Sequence, residues 1–275
     1  MKFWNIGGEG QICMGAVFAT FVALNFTYLP KILLLALMMF AAIVGGGLWA
    51  FIPGYFKSKY NTNETLFTLM MNYIAIKIVT YLQYGPWKDP NAFGFPKIPN
   101  FVDNAILPKV FGVNIGWIIA LVLVVMIHLL INHTKLGYEI SVIGESENTG
   151  RYAGMKVDRI IVVAIIISGA ICGITGMVQA SAVNNTLSVQ ISSGIGYTGI
   201  IIAWLSGLKA PFVVLTSFLF SVLEQGGSFI QTAFQIPQSA ADIFQGTILM
   251  FVLGSEFFVN YKISFIKKLS KGGQV

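Results

Sequence analysis

A few polar residues interrupt the long apolar segments of this chain, and their chemistry is the first guide to its use. Asn5, Glu9 and Gln11, then Asn72 and Lys77, Gln179, Asn184 and Asn185, Glu224 and Gln225, and Asp242 all fall in or beside such segments. Amides and carboxyls of this kind can hydrogen-bond a polar solute or carry a proton. A carboxylate at the bilayer centre costs about 2.5–3.5 kcal/mol on insertion scales, so it faces a cavity or a partner. Glu224 is read as lining a pathway. Asp242 allows two readings, a pathway or a segment end near the outer interface.

Catalytic patterns do not form. Gly194, Gly196 and Gly199 match GxGxxG, but a dinucleotide site needs a strand before the motif and a helix after it in a soluble βαβ unit. Here the chain runs on as IIIAWLSG. No Gly-x4-Gly-Lys-Ser/Thr occurs, which excludes ATP hydrolysis by a P-loop. His128 and His133 stand at i, i+5, a spacing that does not put both on one helical face. Without HExxH or a neighbouring carboxylate they make no zinc site. Cys13 and Cys172 sit in apolar segments and read as small buried hydrophobes. No catalytic residue, metal or cofactor is expected.

The elements that must position these residues are membrane helices. The 275 residues are 56% hydrophobic and 10% charged, against about 25% charged in soluble domains. Between Arg159 and Lys209 there is no Asp, Glu, Lys or Arg. Apolar segments run over about 11–29, 31–52, 65–84, 115–132, 160–182, 195–206, 212–226 and 239–259. The sixth and seventh are shorter than the roughly 20 residues of a span. They are expected as broken or re-entrant helices turning at Gly207-Leu208-Lys209-Ala210-Pro211. Breaks of this kind persist only where protein or a wet cavity satisfies the backbone. The expected fold is an all-α integral membrane protein, a polytopic helical bundle with broken helices, in a single domain over 1–275. Gly45, Gly46 and Gly47, and Ser168, Gly169, Gly173 and Gly176, predict close helix packing.

Basic residues set the orientation. Lys57 and Lys59, the loop bearing Lys135, Arg151, Lys156 and Arg159, and a tail with Lys262, Lys267, Lys268 and Lys271 are assigned to the cytoplasmic side. The excess positive charge is thereby explained by the bilayer, with no nucleic-acid partner. The Pro-rich loop 85–114 is then extracellular, although it carries Lys88, Lys97 and Lys109. In the cytoplasmic loop 133–159, Gly144 and Gly154 bracket the stretch ESENTGRYA, read as a short amphipathic surface helix able to dock a soluble partner.

These residues carry a resemblance. Asn5-Ile6-Gly7-Gly8-Glu9-Gly10-Gln11, and Asn63-Glu64-Thr65-Leu66 running into Leu69-Met70-Met71-Asn72-Tyr73-Ile74-Ala75, resemble permease subunits of bacterial ABC importers. The branch is the branched-chain amino acid and simple-sugar type. The Gly144 to Gly154 stretch and Ser168-Gly169-Ala170-Ile171-Cys172-Gly173 resemble that family's coupling loop and next helix, and the match covers nearly the whole chain. With Gly85-Pro86-Trp87-Lys88-Asp89-Pro90, the motifs look most like ribonucleoside permeases.

The resemblance implies a gated pathway worked by a cytoplasmic ATPase subunit, with a second homologous permease and an extracytoplasmic substrate-binding lipoprotein. It implies ATPase coupling through Gly144, Glu145, Asn148, Arg151, Tyr152 and Gly154. A nucleoside or simple sugar is the expected cargo. Tyr197, Trp204 and Phe229 are candidate stacking surfaces, with Gln179, Asn184, Glu224, Gln225, Glu9 and Asn72 as hydrogen-bonding groups and Asn5 and Gln11 beside them. Two departures stand out. Family members carry a further membrane segment ahead of the Asn-Ile-Gly motif, so an N-terminally short chain is expected. Thr149-Gly150 replaces the usual Ala-Ala before Arg151, which predicts a weaker docking helix. The alternative is a secondary transporter with Glu224 or Asp242 carrying a coupling proton, which has no reason to keep a coupling loop.

Overall fold

The first seven expected apolar segments fold as helices, and most of the eighth, 239–259, lies outside the described residues. The computed structural model describes Phe3, residues 5–92 and 94–235, and scattered positions from 237 to 255. Asp242 and the four tail lysines lie outside the described residues. The chain divides into two compact units, Met1–Ile200 and Ile201–Val275.

The first unit is built on α1 (Gly8–Asn25), α2 (Lys31–Tyr60), α3 (Glu64–Tyr84), α4 (Gly116–His133), α5 (Lys135–Glu145), α6 (Glu147–Tyr152) and α7 (Val157–Val178). α1 is buried along most of its length, enclosed by α2, α3 and α7. Such burial needs backbones to approach without side chains between them. A Cβ on Gly15 would collide with Gly173, one on Gly46 with the Gly169 carbonyl, and one on Gly173 with the Ala42 carbonyl. Gly176 lies in the same way against Ile12. Around this seam pack Met14, Val17, Leu34, Met38, Val79 and Met177.

Local signals set the helix ends. Asn63 caps α3 by accepting from the Leu66 N–H at 3.2 Å, and Glu64 adds a carboxyl in the first turn. α2 continues beyond the expected segment, through Pro53 to Tyr60. Lys57 and Lys59 therefore sit in its last turn rather than in a loop, where cations favour the helix C-terminus. Lys57 also pairs with Glu64 at 2.9 Å across the turn into α3.

The stretch 85–114 is folded. A 3-10 turn at Asp103–Ala105 and a hairpin pairing Lys109–Val110 with Val113–Asn114 bury Ile98, Phe101, Ala105 and Leu107 in the core. The hairpin turns on Phe111 and Gly112, both at positive φ. α7 runs on as a π-helical turn, Gln179–Asn184, ending at Asn185 in the left-handed region. That turn meets the folded stretch: the Ser181 hydroxyl donates to the Ala105 carbonyl and accepts the Leu107 N–H. π turns are uncommon and concentrate at functional sites.

α8 (Ile195–Leu205) begins in the first unit, and α9 (Ala210–Phe234) lies in the second. The expected break is present: α8 ends at Leu205, Gly207 and Leu208 take positive φ, and Pro211 stands in the first turn of α9. The expectation that the seventh segment is too short to span is corrected. α9 has 25 residues and carries on past Gln225, because Gly226 and Gly227 cost the helix only about 1 kcal/mol each. Among the described residues five helices are long and apolar enough to cross a membrane: α2, α3, α4, α7 with its π turn, and α9. The protein is an all-α polytopic membrane protein.

The glycine seam makes a paired prediction. Gly173→Ala forces α2 and α7 apart and costs about 1–3 kcal/mol, as overpacking does. Gly47→Ala puts its methyl at an ordinary 3.5 Å from Ile166 and gains helix propensity. Thermal unfolding in detergent should show a lowered midpoint for the first and an unchanged or raised one for the second. Equal midpoints would refute the seam.

Candidate functional site

Glu9 lies in the first turn of α1, 4% exposed and wrapped by protein. Its two carboxyl oxygens are satisfied by backbone. Oε1 accepts the Gly194 N–H at 2.7 Å and Oε2 the Gly196 N–H at 2.8 Å. Those amides belong to the turn and first residues that start α8, with Ser193 and Gly194 at positive φ. A turn of backbone N–H groups at a helix N-terminus is an anion cradle. The glycine motif set aside as a nucleotide site thus performs the expected physics on an anion from within the chain. Gly196 has no side chain because a Cβ there would run into the Glu9 backbone.

Asn72 of α3 is the second fixed point, 1% exposed. Its Oδ1 accepts the Gly10 N–H at 2.9 Å, and its Nδ2 donates to the Ile6 carbonyl at 2.9 Å and the Tyr197 hydroxyl at 3.2 Å. Asn5 and Gln11 join as a reciprocal amide pair, with both hydrogen bonds at 3.1 Å. Asn5 Nδ2 also donates to the Ser168 hydroxyl at 3.2 Å. Asn5, Glu9, Gln11, Asn72 and Tyr197, five of the expected residues, therefore form one polar cluster linking α1, α3, α7 and the start of α8. Inside it Glu9, Gln11 and Asn72 are buried, while Tyr197 is exposed.

The other expected residues lie elsewhere. Gln179 and Asn184 are in the π turn that follows α7, Asn184 exposed. Trp204 stands near the end of α8 and belongs to the second unit. Glu224, Gln225 and Phe229 are exposed on α9. Lys77 is exposed on α3. His128 and His133 are both exposed on α4 with ring centroids 6.4 Å apart, closer than the i, i+5 spacing implied, because side chains at a helix end can swing together. Among the described residues no cluster of three metal-ligating side chains occurs.

Sequence reasoning missed Ser192 and Trp49, and read Ser168 only as a small packing residue rather than a partner of Asn5. Ser192 meets Cys13 Sγ at 3.4 Å. Trp49 Nε1 is buried beside Gly10 without a hydrogen-bond partner among the described residues. The legible signal was the glycine turn itself, which calls for an anion, in a chain where few carboxyls lie in apolar surroundings.

The stretch 133–159 holds two helices rather than one. Thr134 caps α5 by accepting the Gly137 N–H, and Ser146 caps α6 by accepting the Thr149 N–H. Glu145 closes α5, Gly144 precedes it, and Asn148, Arg151 and Tyr152 are exposed on α6, Tyr152 by 93%. Gly154 ends the pair at positive φ. Gly150, expected to weaken the helix, is buried, and a Cβ there would press on Ile143 at 3.2 Å. Its small size lets α6 sit close against α5.

Replacing Glu9 tests the cradle. In Glu9→Gln one amide donor faces a backbone N–H, which should cost about 1–3 kcal/mol. Hydrogen exchange should quicken at residues 194–197 and stay unchanged in the middle of α2. Unaltered exchange at 194–197 would show that the cradle does not hold α8.

Residues 1–253 match the family described as branched-chain amino acid transport system / permease component. A glucose ABC transporter permease protein of Haloferax volcanii is 32% identical over 94% of this chain and 71% of its own length. A guanosine ABC transporter permease protein of Bacillus subtilis is 31% identical over 98% of this chain and 78% of its own. A nucleoside ABC transporter permease protein of Lactococcus lactis is 28% identical over 90% and 71% respectively. No solved structure matches the chain. The family is one of transporter permeases, not a class of enzyme, and it implies association with ATPase subunits and a substrate-binding protein. With its polytopic helical fold and a family match running through nearly all its length, the chain belongs to the branched-chain amino acid transport system permease family and is the multi-pass membrane permease subunit of an ABC importer.

Proposed function

We propose that this permease carries a nucleoside or simple sugar, and that an ATPase subunit drives it from the cytoplasmic side through α5 and α6. The observation that carries the reading is this pair of short capped helices set between the membrane-length α4 and α7, with Arg151 and Tyr152 turned outward at its end. A secondary transporter has no use for such a device. The cargo class follows the glucose, guanosine and nucleoside relatives. The remaining partners are a second homologous permease and an extracytoplasmic substrate-binding lipoprotein, which delivers cargo at the 85–114 side.

The pathway reading centres on Tyr197. Its hydroxyl is held by Asn72 while the side chain stays exposed, a ring available for stacking with its orientation set from behind. Glu9, Asn5, Gln11 and Asn72 act one layer further in, by holding the start of α8. Gln179 and Asn184 in the π turn, and separately Trp204, Glu224 and Gln225, are the other polar and aromatic groups assigned to the pathway. Gly144, Glu145, Asn148, Arg151, Tyr152 and Gly154 form the ATPase contact. Arg151 brings a planar, permanently charged fork, and its exposed pairing with Asp158 at 3.3 Å is weak enough to exchange for a partner's carboxylate.

Uptake by cells carrying the whole gene cluster, with labelled uridine, adenosine, ribose and leucine in competition, tests the cargo. Nucleoside or ribose should enter and leucine should not compete. Leucine uptake without the others would end the assignment. In the assembled transporter Arg151→Glu should lower uptake at least about tenfold while leaving insertion and ATPase turnover in place, the loss expected when a charged interface pair is reversed. Normal uptake by that variant would remove α6 from the coupling role.

A further inference from the structure

A cleft in the first unit touches that scheme only at Gly154, and its charged lining has no role there. It lies between α5 and the start of α7 and encloses about 680 Å³. Lys135, Lys156 and Arg159 line it with one carboxyl, Glu139, so three cations face one anion, a net of +2. Glu139 is spoken for by Lys135, at 3.8 Å on an exposed side chain. Lys156 and Arg159 are exposed and make no ion pair among the described residues, since the neighbouring Asp158 is taken by Arg151. α7 also opens here with no side chain capping its first amides, and its N-terminal dipole adds to the positive field. Tyr138 offers a hydroxyl on the same wall.

The remaining lining is apolar. Leu136, Ile160 and Val163 come from α5 and from the first two turns of α7, a helix long and apolar enough to cross the membrane. A cleft lined by exposed cations and by apolar residues of a membrane-length helix matches a charged head joined to acyl chains better than a free anion. Basic pockets beside membrane helices on the cytoplasmic face bind anionic lipid head groups. We propose that this cleft holds the phosphate head group of an anionic phospholipid of the cytoplasmic leaflet, with Lys156 and Arg159 as its ligands and Lys135 and Tyr138 at the rim. The leaflet assignment rests on the orientation proposed above; the head-group site does not. Because both α5 and α7 line the cleft, a bound head group ties the proposed coupling helices to the membrane-length helix beside them.

The test uses the full chain purified in detergent, with native mass spectrometry and added phosphatidylglycerol, phosphatidylcholine or inorganic phosphate. Phosphatidylglycerol should be retained and phosphatidylcholine should not. Lys156→Gln with Arg159→Gln should weaken retention roughly 30-fold, the effect of two cations at a membrane surface. Lys156→Arg with Arg159→Lys should keep it, which separates charge from misfolding. Lys57→Gln with Lys59→Gln, another basic pair, should change nothing. Equal retention of both lipids, indifference to the double glutamine variant, or equal loss with the Lys57 and Lys59 pair would overturn the proposal. Inorganic phosphate binding as tightly as the lipid would convert it to a free-anion site and overturn the lipid claim. Orientation is read separately, by labelling Glu147→Cys with an impermeant maleimide in right-side-out and inverted vesicles. Labelling from the outer side would overturn the cytoplasmic leaflet and the coupling role together, while the detergent result would still stand for the head-group site.

Discussion

Backbone meets backbone where α1, α2 and α7 converge, and the rest of the first unit follows from that contact. Gly15, Gly46, Gly169, Gly173 and Gly176 leave no side chain between the helices at their closest points. Lipid tails are as apolar as leucine, so apolar burial alone gives membrane helices little reason to associate. Dispersion at short range and hydrogen bonds must supply the attraction. The seam supplies the first. It also shields α1 from water, so the polar groups that α1 brings inward gain by finding protein partners, since an unpaired one, as the buried Thr20 hydroxyl is among the described residues, costs about 1–3 kcal/mol. Glu9, Gln11 and the Gly10 amide all do, through the α8 turn, Asn5 and Asn72.

That requirement explains a glycine turn without a nucleotide. Backbone amides at the start of a helix attract anions whatever molecule the anion belongs to. In a soluble enzyme the anion is a ligand phosphate. Here the turn is 185 residues away in sequence from the carboxyl it holds, and closing it ties the start of α8 to the buried α1. The cradle and the seam are linked through α1: its first turn carries Glu9, and its middle carries Gly15.

The same elements connect to α5 and α6, the helices proposed for ATPase coupling. α5 and α6 rest against the beginning of α7, and the later turns of α7 form the glycine contact with α1 and α2. A displacement imposed at α6 therefore meets stiff, closely packed elements rather than loops on its way toward α1 and the Glu9 turn. Packed interiors pass strain because they have few voids to absorb it. The folded 85–114 stretch does for the other end of α7 what the cradle does for α8: the Leu107 N–H donates to Ser181 and the Asn114 amide to the Ala182 carbonyl of the π turn, and just beyond it the Thr186 hydroxyl donates to the Ile98 carbonyl.

The membrane class, the helix positions and the break at 207–211 are legible in composition and apolar run length, because the bilayer leaves a chain few ways to satisfy its backbone. The family is legible in the Asn-Ile-Gly and Asn-Glu-Thr motifs. Helix ends were legible where the apolar run itself began or stopped, as at Lys31 and across Gly116–His133, whereas α9 passes through polar Gln225 and two glycines without stopping, since propensity differences of about 1 kcal/mol are easily overruled. Glu9, Asn72 and Gln11 could be picked out as unusual from their type and apolar setting. Whether such a group faces cargo or another part of the chain depends on which distant residues come within about 3 Å of it, and that is a property of helix packing. Local pattern therefore told which residues needed a partner, and only the tertiary structure decided that the partner of Glu9 is the backbone of Gly194 and Gly196.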